Sequence, residues 1–103
     1  MRMLPEPEVD EIELPAVLFA LSDPFRLAIV SALRDGGERP SGELAGDTPK
    51  STHSHHLRTL REAGVTRTRQ VGTRCMISLR ADALHARFPG LLDAVLTATP
   101  VTA

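Results

Sequence analysis

The residues most able to do chemistry are gathered in one run, Lys50-Ser51-Thr52-His53-Ser54-His55-His56-Leu57-Arg58. Its imidazoles, hydroxyls and cations suit two kinds of chemistry. Neutral imidazoles ligate transition metals, and His53 and His56, at i and i+3 of a helix, could chelate one with an outside ligand. The same groups hydrogen-bond to phosphates and base edges. Zinc needs further ligands, and no Cys or carboxylate interrupts the run, so the metal reading is the weaker one and no metal site is expected. Short hydroxyl side chains at Ser51 and Thr52 would let a helix approach a polyanion closely. Lys50, Ser51, Thr52, Ser54, His55 and Arg58 are therefore the candidate DNA contacts. The structural alternative makes His56 a hydrogen-bonded, half-buried spacer, His55 a DNA contact and His53 a tolerated substitution.

A second basic group follows. Arg67 and Arg69 alternate with threonines, and Thr73 and Arg74 stand at a Gly72-Thr73 turn. The pattern predicts a β-hairpin with two guanidinium groups on one face. Cys75 is the single cysteine, so the chain has no internal disulfide framework. A basic surrounding would make it a redox-reactive thiolate. Its alternation with Ile77 and Leu79 predicts a core-lining thiol instead. No Gly-x-Ser-x-Gly, glycine-rich phosphate loop or motif-paired carboxylates occur, so no catalytic residue, enzyme activity or cofactor is expected.

Several elements must position these groups. Leu14 to Leu21 reads as a short, wholly apolar helix with Pro15 near its start. Ser22-Asp23-Pro24 is a cap followed by a first-turn proline, and a helix is predicted from Phe25 to about Asp35, with Leu27, Ile29, Val30 and Leu33 turned inward. Ser41, read as a cap, opens the brief segment Gly42 to Ala45. After the Gly46-Asp47 turn, Thr48-Pro49 repeats the cap-plus-proline signal and opens a helix to Ala63, stopped by Gly64. A short helix, a tight turn and a basic second helix make a helix-turn-helix. Val65 to Arg69 and Arg74 to Leu79 form the hairpin, or wing. Ala83 to Phe88 and Leu91 to Leu96 read as helical, and Thr99 to Ala103 as a frayed end.

The expected architecture is thus mainly α with a β-hairpin wing. Residues 1–13 would be a flexible acidic arm, and 14–99 a DNA-binding and dimerisation domain. In 103 residues without Trp or Tyr, the core must be aliphatic and small, and apolar helix faces are left for a second copy of the chain. Leu14, Val17, Leu18, Leu21, Leu91, Leu92 and Val95 are the candidate dimer contacts.

The net charge of −1 conceals segregation. Residues 1–47 carry four basic groups against ten acidic ones, and residues 48–80 carry seven against Glu62 alone. A polyanion would meet the middle block and be repelled by the arm. The opening segment lacks the basic and apolar regions of a signal peptide, and no run of about 18 apolar residues occurs. The lone cysteine fits a reducing compartment, and a cytoplasmic protein is expected.

Ser51-Thr52-His53-Ser54-His55-His56-Leu57-Arg58-Thr59-Leu60-Arg61-Glu62-Ala63-Gly64 resembles the recognition helix of the ArsR/SmtB family. Leu21-Ser22-Asp23-Pro24-Phe25-Arg26-Leu27 resembles that family's entry into its second helix. The resemblance spans about residues 16–97. It implies a winged helix-turn-helix repressor that binds an inverted repeat as a two-fold dimer. Ser54 and His55 would be the main groove contacts, and the wing would lie over an adjacent minor groove or phosphate. The usual metal motifs of the family are missing. Ser41-Gly42-Glu43-Leu44 holds no Cys-x-Cys, and Asp82, His85 and Asp93 lack a second His and Glu at the required spacing. His53 stands where the family usually has an aliphatic residue. The alternatives are a protein-interaction module using the same fold, or a metal- or thiol-responsive sensor with a non-standard site.

Overall fold

The computed structural model describes residues 2–98. The expected frayed end, Thr99 to Ala103, lies outside them. In chain order the elements are β1 (Arg2–Met3), a 3-10 turn (Val9–Glu11), α1 (Leu14–Leu21), α2 (Pro24–Ala32), β2 (Arg39–Pro40), α3 (Ser41–Leu44), α4 (Lys50–Glu62), β3 (Thr66–Val71), β4 (Arg74–Leu79), α5 (Ala81–Arg87) and α6 (Leu91–Ala98).

The start of α2 follows from Ser22-Asp23-Pro24. Asp23 Oδ1 accepts from the backbone N–H groups of Phe25 at 2.8 Å and Arg26 at 3.2 Å, and Pro24 presets the first helical φ. The break turns α1 and α2 to 97°. At the other end of the helix-turn-helix, α4 closes in a Schellman motif. Gly64 N–H bonds to Arg61 O and Val65 N–H to Leu60 O, with Gly64 at φ +87°. A side chain there would also collide with Ile12, since a Cβ would lie 2.7 Å from Ile12 Cγ1. The hairpin turns through Gly72 at φ +60° and Thr73, between paired Val71 and Arg74, as a two-residue loop with its first residue in the left-handed region.

The sheet order is β1-β3-β4-β2, antiparallel throughout. Register places Thr66, Thr68, Ile77, Leu79 and Cys75 on its inner side, and Arg67, Arg69, Arg74 and Met76 on the outer. Cys75 is half-buried there, as its alternation with Ile77 predicts. The core joins Val17, Ala20 and Leu21 of α1 to Ile29, Val30 and Leu33, then to Leu60, Val65, Ile77, Leu84 and Leu92.

The acidic segment before α1, expected as an arm separate from the domain, is laid along it. Arg2 and Met3 pair with Gln70 and Arg69, and Leu4 N–H bonds to Thr68 O. Arg80 Nη1 donates to Pro7 O and Arg87 Nε to Ile12 O, each at 2.8 Å. Ile12 is buried in the core. Long-range arginine contacts, invisible in a local composition scan, hold it there.

Two caps differ from expectation. Pro40 rather than Ser41 precedes α3, and Pro49 rather than Thr48 precedes α4; neither supplies a side-chain cap. Both prolines sit in an extended conformation, so α3 begins one residue earlier than a Ser41 cap implies, and α4 one residue later than the Thr48-Pro49 pattern implies.

Candidate nucleic-acid interface

Amphipathicity divides α4 cleanly. His53, His56 and Leu60 are buried, while Lys50, Ser51, Thr52, Ser54, His55 and Arg58 are exposed. All six contacts expected on this helix therefore share its open side. Its N-terminus has no side-chain cap and no acidic residue in its first turn. The positive end of the helix dipole is thus left to an incoming anion, beside Lys50, Ser51 and Thr52.

The buried side is held by polar pins beside the aliphatic packing of Leu60. His53 Nε2 donates to Ser41 O at 2.8 Å, tying α4 to α3. His56 Nδ1 lies 3.2 Å from Arg26 Nη1. A guanidinium only donates, so His56 accepts and carries its proton on Nε2. Arg26 is itself buried. Its Nε donates to Ala20 O at 2.7 Å and its Nη2 to Phe19 O at 3.2 Å, and the guanidinium lies 5.3 Å from the Phe19 ring centre. One side chain thus joins the end of α1 to the recognition helix across α2. The Arg26 charge also acts on Asp23. Burial pushes its carboxyl upward, but the two backbone N–H bonds, with the Arg26 charge, outweigh it and leave it below the ordinary 3.8.

His56, whose Nδ1 lone pair is taken by Arg26 and whose Nε2 carries the proton, has no lone pair to offer a metal, so His53 and His56 are not poised as a chelating pair. Among the described residues, no group of three or more His, Cys, Asp or Glu is placed to hold a metal ion. His85 and Asp93 of the last two helices form a loose pair at 3.9 Å.

The wing departs from the sequence reading. Arg67 and Arg69 share the outer face as expected, but their guanidinium groups face carboxylates. Arg67 bonds to both oxygens of Glu6 at 2.8 and 3.1 Å, and Glu6 also pairs with buried Arg80 at 3.0 Å. Arg69 makes a two-pronged contact with Glu38. The Arg69 hydrogen bond holds the Glu38 carboxyl below its usual range, and the Glu6 bond raises Arg67. At the hairpin turn Thr73 and Arg74 are exposed, and among the described residues Arg74 makes no ion pair. Sequence reasoning missed Glu6 and Glu38 because each lies more than 30 residues from its arginine.

Comparisons with known proteins agree with this geometry. A helix-turn-helix domain family matches residues 21–69. An uncharacterized HTH-type transcriptional regulator of Bacillus subtilis, YceK, is 42% identical over 77 residues, covering 72% of this chain and 77% of that one. The crystal structure of the transcriptional repressor BigR from Xylella fastidiosa superposes with a TM-score of 0.64 at 30% identity, over 86% of this chain and 88% of the other. The chain belongs to the ArsR/SmtB family. A further structure described as an ArsR family transcriptional regulator shares the fold at 23% identity, with a TM-score of 0.66 over 84% and 93% of the two chains.

As a helix-turn-helix transcriptional regulator of the ArsR/SmtB type, the protein binds double-stranded DNA. Of the apolar residues expected to join two ArsR/SmtB protomers, Val17, Leu21 and Leu92 are instead buried in the chain's own core. An all-apolar helix gives no period from which its inner side could be told. Leu14 and Leu18 remain exposed, with Phe19 beside them at 64% exposure. Leu91 and Val95 are half-buried on α6.

Proposed function

We propose that this regulator is a cytoplasmic repressor that binds an inverted-repeat operator as a two-fold dimer. The observation that carries the reading is the uncapped first turn of α4, with Lys50, Ser51 and Thr52 open and the helix's inner side pinned by His53 and His56. That end enters the major groove in helix-turn-helix docking. Ser54 and His55, one turn on, are placed to read bases, and Arg58 to meet a phosphate. Thr73 and Arg74 extend the footprint from the wing. Leu14 and Leu18 of α1, with Leu91 and Val95 of α6, supply apolar surface for the second protomer, whose α4 would enter the groove about 34–36 Å away. Occlusion of a promoter then gives repression.

The test is a titration of the protein against its own promoter region and an unrelated duplex across a salt series. The proposed footprint's cations that make no ion pair among the described residues, Lys50, Arg58 and Arg74 of each protomer, predict a slope of log affinity on log salt of roughly −5 for the dimer. Ser54→Ala or His55→Ala should narrow the difference between the two duplexes, while Lys50→Ala weakens both alike. A folded protein that binds neither duplex would favour the protein-interaction module.

A further inference from the structure

Between α2 and the first turns of α4 lies a cleft of about 530 Å³, a size typical of small-molecule sites. Its walls are mostly carbon, supplied by Phe25, Ala28, Ile29, Leu44 and Pro49. His53 and His56 complete them, each more than nine-tenths buried. Each imidazole has spent one nitrogen inside the protein. His53 Nε2 donates to Ser41 O, so its Nδ1 is an acceptor; His56 Nδ1 accepts from Arg26, so its Nε2–H is a donor. Neither remaining nitrogen has a protein partner among the described residues. An apolar site thus carries one donor and one acceptor on neighbouring turns of a helix.

A hydroxyl group answers both, because it donates and accepts. The ring of Phe25, 59% exposed, stacks on His56 with centroids 5.9 Å apart and planes 22° from parallel, offering aromatic surface at the entrance. Among the described residues no lysine or arginine lines the cleft, and the one charged wall residue is Asp47. An anion would enter without a counter-charge, whereas an uncharged ring leaves water at no such cost.

We propose that this cleft is an effector site for an uncharged, one- or two-ring aromatic alcohol. Pro49, which precedes the recognition helix, and Thr52 within it form part of its wall, next to Lys50 and Ser51. An occupant therefore alters how the first turn of α4 sits against α2, and DNA affinity changes with it; that consequence rests on the DNA-binding reading above.

The protein has no Trp or Tyr, so naphthol fluorescence follows binding without interference. Full-length protein should bind naphthol saturably, one per chain, and naphthalene sulfonate should not saturate. Ala28 is an exposed wall residue, and Ala28→Phe, checked for folding by circular dichroism, should weaken naphthol binding by at least about tenfold. Saturating naphthol should change operator affinity by at least about fivefold in the wild type. No saturation with naphthol, equal binding by Ala28→Phe, or equal binding of the sulfonate overturns the site. Saturable binding with unchanged operator affinity overturns its role as an effector site. Failure to bind DNA without any naphthol would instead overturn the DNA-binding reading, while the fluorescence titration still decides the cleft.

Discussion

Replacing Arg26 with methionine removes the charge while keeping an unbranched side chain to fill the space. The structure sets the cost. Phe19 O keeps its bonds from Ser22 N–H and Ser22 Oγ, so its loss of Arg26 Nη2 is minor. Ala20 O and His56 Nδ1 lose the donors Arg26 gives them, and each orphaned buried acceptor costs about 1–3 kcal/mol. The variant no longer has to strip water from a guanidinium on folding, which offsets part of this cost, and methionine packing recovers a further part. The expected destabilisation is about 2–4 kcal/mol, a large share of the 5–15 kcal/mol typical of a domain. In urea at fixed protein concentration the midpoint should fall by roughly 1–3 M with the slope unchanged. Imidazole nitrogen NMR should show His56 losing its fixed tautomer, a change that simple loosening of α1 would not produce. Arg26→Lys, able to reach one acceptor, should lie between. A midpoint shift below about 0.5 M for Arg26→Met would refute the idea that these bonds hold α1 to α4.

Glu6→Gln removes the charge that holds Arg67; the salt slope of DNA binding should steepen by roughly one for each Arg67 guanidinium that meets a phosphate, and a slope parallel to wild type would show that Arg67 stays clear of DNA. Gly64→Ala forces a left-handed alanine against Ile12 Cγ1; a loss of about 2 kcal/mol, or about 10 °C in Tm by calorimetry, is expected, and Ile12→Ala in the same chain should make the glycine change cheaper. The depressed Asp23 carboxyl contributes stability fully present above the usual aspartate range and lost as pH falls through the lower folded value. Asp23→Asn should flatten that acid limb in urea melts from pH 5 down to about 2, and an unchanged limb would remove Asp23 from the account.

The parts of this fold legible in the sequence were those written locally. Asp23-Pro24, Gly64 and Gly72 each carry their signal within a few residues. The apolar rhythm of α4 separates His53 and His56 from Ser54 and His55 without tertiary information. What escaped was decided across long separations: Arg26 with His56, Glu6 with Arg67, Glu38 with Arg69. Charge counting assigned the wing arginines to a polyanion, although carboxylates from the acidic half of the same chain reach them first. The inner side of α1 was equally unreadable, because a helix apolar all round has a face only once something packs against it.

The sheet's short outer strands have a consequence for solubility. The six-residue strands β3 and β4 would, as a bare hairpin, present two long rows of unpaired amides and carbonyls, the template on which chains stack into aggregates. Arg2–Met3 covers part of one row and Arg39–Pro40 part of the other, and Pro40 has no N–H to offer a stranger. Trimming residues 1–4 would reopen the β3 border, and the shortened chain should self-associate at concentrations where the full one stays dispersed.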